Sequence, residues 1–132
     1  MKKKLILLTG NELRHLYFAC FLSSYKNIDL KFVVHESNIK LKRNILYKKD
    51  KIIKKHVDLR TKTEIKDFKK FIKLNKKYES INIKNGNINK EKIINLIKMK
   101  EFDYIISYGC SIISSEFINK FKNKIFNIHL GL

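Results

Sequence analysis

The last residues of the chain form an apolar segment, IFNIHLGL, that carries one carboxamide and one imidazole. Asn127 and His129 are two residues apart, and side chains alternate between the faces of a β-strand, so both would project from the same face. A strand rise of about 6.6–7 Å would separate them, which suits two groups that act on opposite sides of one small reacting group. The other face, which we expect to pack into the core, carries Phe126, Ile128 and Leu130.

Each of these polar residues also has an ordinary structural explanation. An asparagine at a strand end is commonly bonded to backbone, and a histidine in an apolar segment is commonly a core residue bonded to a carbonyl group. Their shared face and their position at the end of a strand favour a site for Asn127 and His129 over these explanations.

The rest of the chain alternates predicted strands and helices, which would position the pair. Strands are predicted at Lys4 to Leu8, Leu30 to Val34, Ser80 to Ile83, Tyr104 to Tyr108 and from Ile125. Helices are predicted from Leu13, from a Thr61/Glu64 capping box, after Asn89 as a cap and after Ser111 as a cap. The lysine-rich stretch from Ser37 to Arg60 has no pattern that places an element. This alternation predicts an α/β, Rossmann-like fold with a mostly parallel sheet and helices on both faces.

Composition narrows the class of protein. The chain has 132 residues and a formal net charge of +18, and it contains no apolar run long enough to span a membrane, so we expect one cytoplasmic domain without a membrane partner. Only 3 of its 30 basic residues are arginines, and the lysines are spread along the chain. This favours a solvated basic surface over a dedicated nucleic-acid site. Cys20 and Cys110 lie in apolar contexts without metal-ligand or disulfide spacing, so buried free thiols are expected.

Ligands of open parallel sheets bind outside the carboxyl ends of the strands. Gly10, Gly109 and His129 all lie at the carboxyl ends of predicted strands and would meet at that edge. The first loop, TGNELRH, contains neither GxGxxG nor a Walker pattern, which argues against an ordinary dinucleotide or nucleoside triphosphate cofactor.

The segment FDYIISYGCSIISSEFINKFKNKIFNIHLGL resembles a part of the 10-formyltetrahydrofolate-dependent formyltransferases. In that family a strand ends in a Tyr-Gly turn, a short helix follows, and a second strand delivers Asn-x-His. The whole chain is compatible with the resemblance, which implies that residues 1–132 are a single catalytic-domain fragment whose sheet is incomplete at its C-terminal end. The family's third catalytic group is an aspartate further along the chain, so we expect little turnover from these 132 residues alone.

The resemblance implies a role for three sets of residues, with 10-formyltetrahydrofolate as co-substrate and no metal. The catalytic groups would be Asn127, which donates to the oxyanion, and His129, which takes the amine proton. The folate pocket would be lined, largely through backbone groups, by Tyr108, Gly109, Cys110, Ser111, Ile112 and Ile113. The acceptor substrate would contact Gly10, Asn11, Glu12, Arg14 and His15. An exposed first helical turn would explain Glu12, Arg14 and His15 equally well. The family often has a proline shortly after the glycine of the pocket, whereas this chain has Ser111 to Ser114.

The sequence leaves two acceptor substrates possible, and it leaves two other classes of protein as alternatives to a formyltransferase. The opening LLTGNELRHLYFACFLSS is similar to family members that act on amino sugars of surface polysaccharide, which implies a nucleotide-linked amino sugar as the acceptor amine. Methionyl-tRNA is the alternative acceptor, because the positive charge would suit it. The rivals are a non-catalytic, basic Rossmann-like module that binds RNA or phosphate, and a truncated inactive product. An exposed sheet edge would also permit a homodimer.

Overall fold

The computed structural model of the protein describes residues 1–37 and 50–129. Within these ranges five strands form one parallel sheet in the order β3-β2-β1-β4-β5. The strands are β1 (Lys3–Gly10), β2 (Ile28–Glu36), β3 (Ser80–Ile83), β4 (Tyr104–Tyr108) and β5 (Ile125–Ile128). The helices are α1 (Leu13–Ser24), α2 (Lys51–Asn75), α3 (Glu91–Lys98) and α4 (Ser115–Lys120). The predicted α/β, Rossmann-like class is confirmed.

Helices cover both faces of the sheet because its central strands are apolar on both sides. On one face, Ile6, Leu8 and Ile105 pack with residues of α3 and α4, among them Ile97 and Phe117. On the other face, Leu5, Leu7 and Val33 pack with Ala19 and Leu22 of α1. Continuous burial on both faces is the usual state of parallel strands, and it fixes the sheet as the rigid base of the site.

Helix α2 begins eleven residues before the predicted start. Its N-cap is Asp50, whose carboxylate accepts hydrogen bonds from the amides of Ile52 at 2.8 Å and Ile53 at 3.3 Å. The predicted Thr61/Glu64 capping box is therefore wrong. Thr61 lies inside the helix and its hydroxyl donates to the carbonyl of Val57 at 2.8 Å. Threonine makes this back-bond in helices readily, so its type did not distinguish a cap from an interior position.

The other two predicted caps are also wrong, because both side chains reach a different segment. Lys90, not Asn89, occupies the N-cap of α3, and Ser114, not Ser111, occupies the N-cap of α4. The Ser114 hydroxyl accepts from the amide of Phe117 at 3.2 Å. The side chain of Asn89 instead bonds the loop that follows β4, and the side chain of Ser111, within that loop, bonds Glu36.

Strand β5 is an edge strand, and its faces are not as the alternation predicted. Phe126 is 56% exposed and Ile128 is 39% exposed, so this face is not a core face. Leu130 lies outside the described residues. The face of Phe126 is the α1 face of the sheet, and the buried residues of that core belong to β1, β2 and α1. Ile125, on the opposite face, packs against the other core, and Asn127 continues that face.

A buried histidine at the end of β2 predicts a pH-dependent stability. Nδ1 of His35 donates to the carbonyl of Gly10 at 3.0 Å, and no partner for Nε2 is found in the described ranges. Burial lowers the pKa of His35 below its ordinary value of 6.5. The unfolded chain then binds a proton that the folded chain does not, so the free energy of unfolding should fall as the pH drops below about 6.5.

Urea titrations between pH 7.5 and pH 5 measure this effect. His35→Gln should flatten the decline in stability over that interval, whereas substitution of the exposed His56 by glutamine should not. An equal decline in the wild type and in the His35→Gln variant would assign the pH dependence to other groups.

Candidate active site

A cleft of about 440 Å³ opens at the carboxyl edge of the sheet, between β4, β5 and α4. Asn127 and His129 both line it, so the structure brings the predicted catalytic pair into one solvent-accessible space. The other lining residues are Ser107, Gly109, Cys110, Ser111, Ile112, Ile113, Ile118, Ile125 and Ile128. A mostly apolar wall with a few convergent polar groups is the usual composition of a small-molecule site.

The carboxamide of Asn127 is oriented by a serine on the neighbouring strand. Ser107 pairs with Asn127 in the parallel register of β4 and β5, and its buried hydroxyl donates to Oδ1 of Asn127 at 2.9 Å. This bond occupies the carboxamide oxygen. In the ranges that the structure describes, no protein acceptor takes the Nδ2 hydrogens, so they can serve a ligand. Ser107 was not among the predicted residues, although it is a polar residue within an apolar strand, which is a usable signal.

A buried carboxylate holds the first half of the loop after β4. Glu36, at the end of β2, is only 2% exposed. Its carboxylate accepts hydrogen bonds from the amide of Ser111 at 2.7 Å, the hydroxyl of Ser111 at 2.8 Å and the amide of Gly86 at 2.8 Å. Charge-assisted bonds to three donors compensate the burial of the carboxylate. Glu36 therefore ties the turn after β3 to the wall of the cleft.

Asn89 holds the second half of the same loop. Its amide nitrogen donates to the carbonyl of Ile112 at 2.9 Å, and its oxygen accepts from the amide of Ser114 at 2.8 Å. Four of the loop's backbone or hydroxyl groups are thus fixed by Glu36 and Asn89. The sequence places these two residues far from the loop, so neither role was visible in it.

Cys110 lines the cleft as a half-buried free thiol. Burial, and then the nearby carboxylate of Glu36, raise its pKa to about 11. The sulfur is therefore protonated at neutral pH and is a poor nucleophile. Cys20, the other thiol, is buried as expected.

The ring of Tyr108, a predicted pocket residue, lies on the face of the sheet opposite the cleft. The ring packs edge-on against His15 at 5.3 Å and against Phe18 at 5.0 Å, between centroids, on the α1 face of the sheet. The side chain of Tyr108 does not line the cleft. The resemblance implied a pocket formed largely by backbone groups, so a backbone role for Tyr108 stays a prediction. Its carbonyl accepts from the hydroxyl of Thr9 at 2.7 Å. The alternation of β4 explains this: Ser107 and Gly109 face the cleft, so Tyr108 between them faces away.

The first loop lies beside the cleft without lining it. A Cβ atom built on Gly10 would lie 3.0 Å from the carbonyl oxygen of Gly109, so the loops after β1 and β4 are in contact. His15 is buried between them, and its Nδ1 accepts from the amide of Glu12 at 3.3 Å. This position makes His15 part of the scaffold, so an exposed first helical turn does not explain it, and its contact with the acceptor stays a prediction.

Three predicted substrate residues remain accessible at this edge. Asn11 is exposed, while Glu12 and Arg14 are half-buried and form an ion pair with each other. Nη1 of Arg14 also lies 4.0 Å from Oε1 of Glu64 on α2. Their roles toward a substrate stay predictions.

The close approach of Gly109 to His15 predicts a large difference between two glycine substitutions. Gly109 has φ +65°, and a Cβ atom there would lie 2.3 Å from Nε2 of His15. Gly86 has φ +78° but meets nothing within 4 Å. Gly86→Ala should cost about 1–2 kcal/mol, the left-handed backbone penalty alone. Gly109→Ala should cost about 1–3 kcal/mol more, because the buried imidazole must move. Urea unfolding of both variants measures the difference, and equal losses would contradict the packing of His15.

No group of three or more histidine, cysteine, aspartate or glutamate residues in the described ranges is arranged to hold a metal ion. Among the same residues, no helix has the length and apolar character needed to cross a membrane.

The sheet and its cleft define a Rossmann-like α/β protein whose candidate site lies at the carboxyl edge of a parallel sheet. No protein-family model and no curated protein matches the sequence. Its fold is similar to those of two solved enzymes. One is phosphoribosylglycinamide formyltransferase from Anaplasma phagocytophilum, with a TM-score of 0.53, 14% identity, and coverage of 98% of this chain and 50% of that one.

The other is glycinamide ribonucleotide transformylase 1 from Geobacillus kaustophilus, with a TM-score of 0.54 and 14% identity over 100% of this chain and 60% of that one. The chain therefore has the fold seen in these formyltransferases and spans 50% to 60% of their lengths.

Proposed function

We propose that the protein takes part in the transfer of a formyl group from 10-formyltetrahydrofolate to a primary amine. The observation that carries this proposal is the shared cleft of Asn127 and His129, in which Ser107 occupies the carboxamide oxygen and leaves the Nδ2 hydrogens for a ligand. The fold likeness to two formyltransferases supports the proposal independently.

The proposed step forms one bond and breaks another at the formyl carbon. The lone pair of the amine attacks this carbon, and the carbonyl oxygen becomes an oxyanion that accepts a hydrogen bond from Nδ2 of Asn127. His129 accepts the proton that the amine loses. The oxyanion then reforms the carbonyl, the bond from carbon to N10 of the folate breaks, and N10 takes up a proton. The products are the formamide and tetrahydrofolate.

The loop from Gly109 to Ile113 is the part of the cleft that would hold the folate. Its backbone is fixed by Glu36 and Asn89, while the Ile112 and Ile113 side chains add apolar surface to the wall. A rigid loop with apolar side chains suits a flat heterocycle that is recognised through backbone groups.

For the acceptor we propose a nucleotide-linked amino sugar. This follows from the resemblance of the opening segment to members that act on such amines. The two similar structures are enzymes named for phosphoribosylglycinamide and glycinamide ribonucleotide, so a ribonucleotide amine is the second candidate. Both candidates are phosphorylated, which suits the basic surface of the chain.

A single-turnover assay with excess protein tests the proposal. The chain is mixed with 10-formyltetrahydrofolate and, separately, with a nucleotide-linked amino sugar, glycinamide ribonucleotide or methionyl-tRNA, and the formylated product is measured by mass spectrometry. We expect formylation of the amino sugar above the uncatalysed rate. Formylation of another acceptor alone would correct the substrate, and no formylation together with no folate binding would overturn the proposed reaction.

A further inference from the structure

The length of α2 gathers lysines that are spread along the sequence into one line. Six of them recur at intervals of four, seven, four, three and four residues, which keeps them within about 60° of one another around an α-helix. All six are exposed. The lysine stripe, as we name it, consists of Lys51, Lys55, Lys62, Lys66, Lys69 and Lys73.

The rest of the helix keeps this stripe turned to solvent. On the opposite side of α2, Phe68 stacks on Tyr17 of α1 with ring centroids 4.3 Å apart, and Phe71 lies 5.0 Å from the same ring. The helix is therefore held by aromatic packing, and the stripe lies on the side away from that contact.

The charge of the stripe is not neutralised by the helix itself. Glu64 lies on another face, near Arg14 at 4.0 Å and Arg60 at 3.7 Å. In the described parts of the chain, no carboxylate lies within ion-pair distance of any of the six lysines. One acidic residue of α2, Asp58, lies on the same side of the helix as the six lysines, so the stripe keeps a strong positive charge.

We propose that the lysine stripe binds the phosphate backbone of a nucleic acid. The stripe spans 22 residue steps, about 33 Å, which is close to the length of one turn of a duplex. Lysines are point charges on flexible stems, which neutralise phosphates without reading bases. Binding to a membrane surface would need a continuous free apolar face. Phe68 and Phe71 are packed on α1, and the exposed apolar residues beside the stripe, Ile52, Leu59 and Leu74, are interrupted by Thr63 and Lys70. The stripe shares no residue with the cleft, so it does not depend on the proposed reaction.

The inference is tested by the salt dependence of binding. A fluorescent 20-nucleotide RNA, single-stranded or as a duplex, and a DNA duplex of the same length are titrated with the full chain between 50 and 300 mM NaCl. Contact with all six lysines should give a slope of log affinity against log salt of about −4 for single strands and about −5 for duplex DNA. Vesicles with anionic lipid are titrated in parallel.

Two variants with the same net charge separate the stripe from general basicity. The stripe variant carries Lys55→Gln, Lys62→Gln, Lys66→Gln and Lys69→Gln, which keep a good helix former at each site. The control variant carries glutamine at four exposed lysines elsewhere: Lys84, Lys92, Lys98 and Lys122. The stripe variant should reduce the slope by about 3, and the control by less than 1. Circular dichroism checks that both stay folded.

Equal slopes for the two variants would overturn the inference, because they would show that only net charge matters. Stripe-dependent binding to vesicles without stripe-dependent binding to nucleic acid would also overturn it, in favour of a membrane surface. Preference among the three nucleic acids identifies which phosphate backbone is bound.

Discussion

Replacement of Asn127 by alanine should lower the single-turnover rate of formyl transfer by about 10²–10³-fold, the usual effect of removing one oxyanion donor. The loss should fall on the chemical step. The carboxamide is held by Ser107 with its nitrogen available, so it can strengthen its bond to the carbonyl oxygen as negative charge develops. Folate affinity should change little, because the proposed folate wall is the separate loop from Gly109 to Ile113.

A matched control is Asn95→Ala, which removes an exposed asparagine from α3, outside the cleft. It should leave the rate unchanged. His129→Ala should lower the rate by about 10²–10⁴-fold through loss of the proton acceptor. Wild-type rates in the Asn127→Ala or the His129→Ala variant would remove that residue from the proposed mechanism.

Replacement of Glu36 by alanine should reduce the free energy of unfolding by about 2–4 kcal/mol, since three hydrogen bonds to a charged acceptor are lost and two backbone amides are left without it. The same change frees the loop after β4, so folate affinity should fall together with stability. Glu36→Gln retains the shape but presents a donor to one of the amides, and its effect should be intermediate.

Glu79→Ala is the control for this prediction. Glu79 is 62% exposed and forms a surface ion pair with Lys100 at 2.8 Å, so its loss should cost less than about 1 kcal/mol. Urea unfolding and folate titration of the three variants measure both effects. A Glu36→Ala variant as stable as Glu79→Ala would show that the buried carboxylate does not organise the loop.

The regular part of the fold could be predicted because its signals are local. Strands β1 and β4 are short apolar runs that end at the turn residues Gly10 and Gly109, and α1 shows helical spacing from its first residue. The Asn-x-His spacing likewise predicted that Asn127 and His129 would share a face, and both line the cleft.

The predictions that were wrong concern residues whose positions depend on contacts between distant segments. Asn89 and Ser111 were predicted as caps because their side chains suit the ends of helices, yet each found a better partner across the loop. In the sequence Glu36 is a polar residue at the end of a strand, and only the folded chain places the turns after β3 and β4 within hydrogen-bond distance of its carboxylate. Phe126 reads as a core residue because alternation predicts which face a side chain occupies, but not whether anything covers that face.

The central claim is that Asn127, His129 and the loop after β4 form one ligand cleft at the carboxyl edge of the sheet. An NMR titration of the ¹⁵N-labelled chain with 5-formyltetrahydrofolate, a stable analogue of the proposed co-substrate, tests it most directly. We predict saturable amide shifts at residues 109–113 and at Asn127 and His129, with none along α2. Shifts confined to other surfaces, or no shifts at millimolar ligand, would contradict the claim.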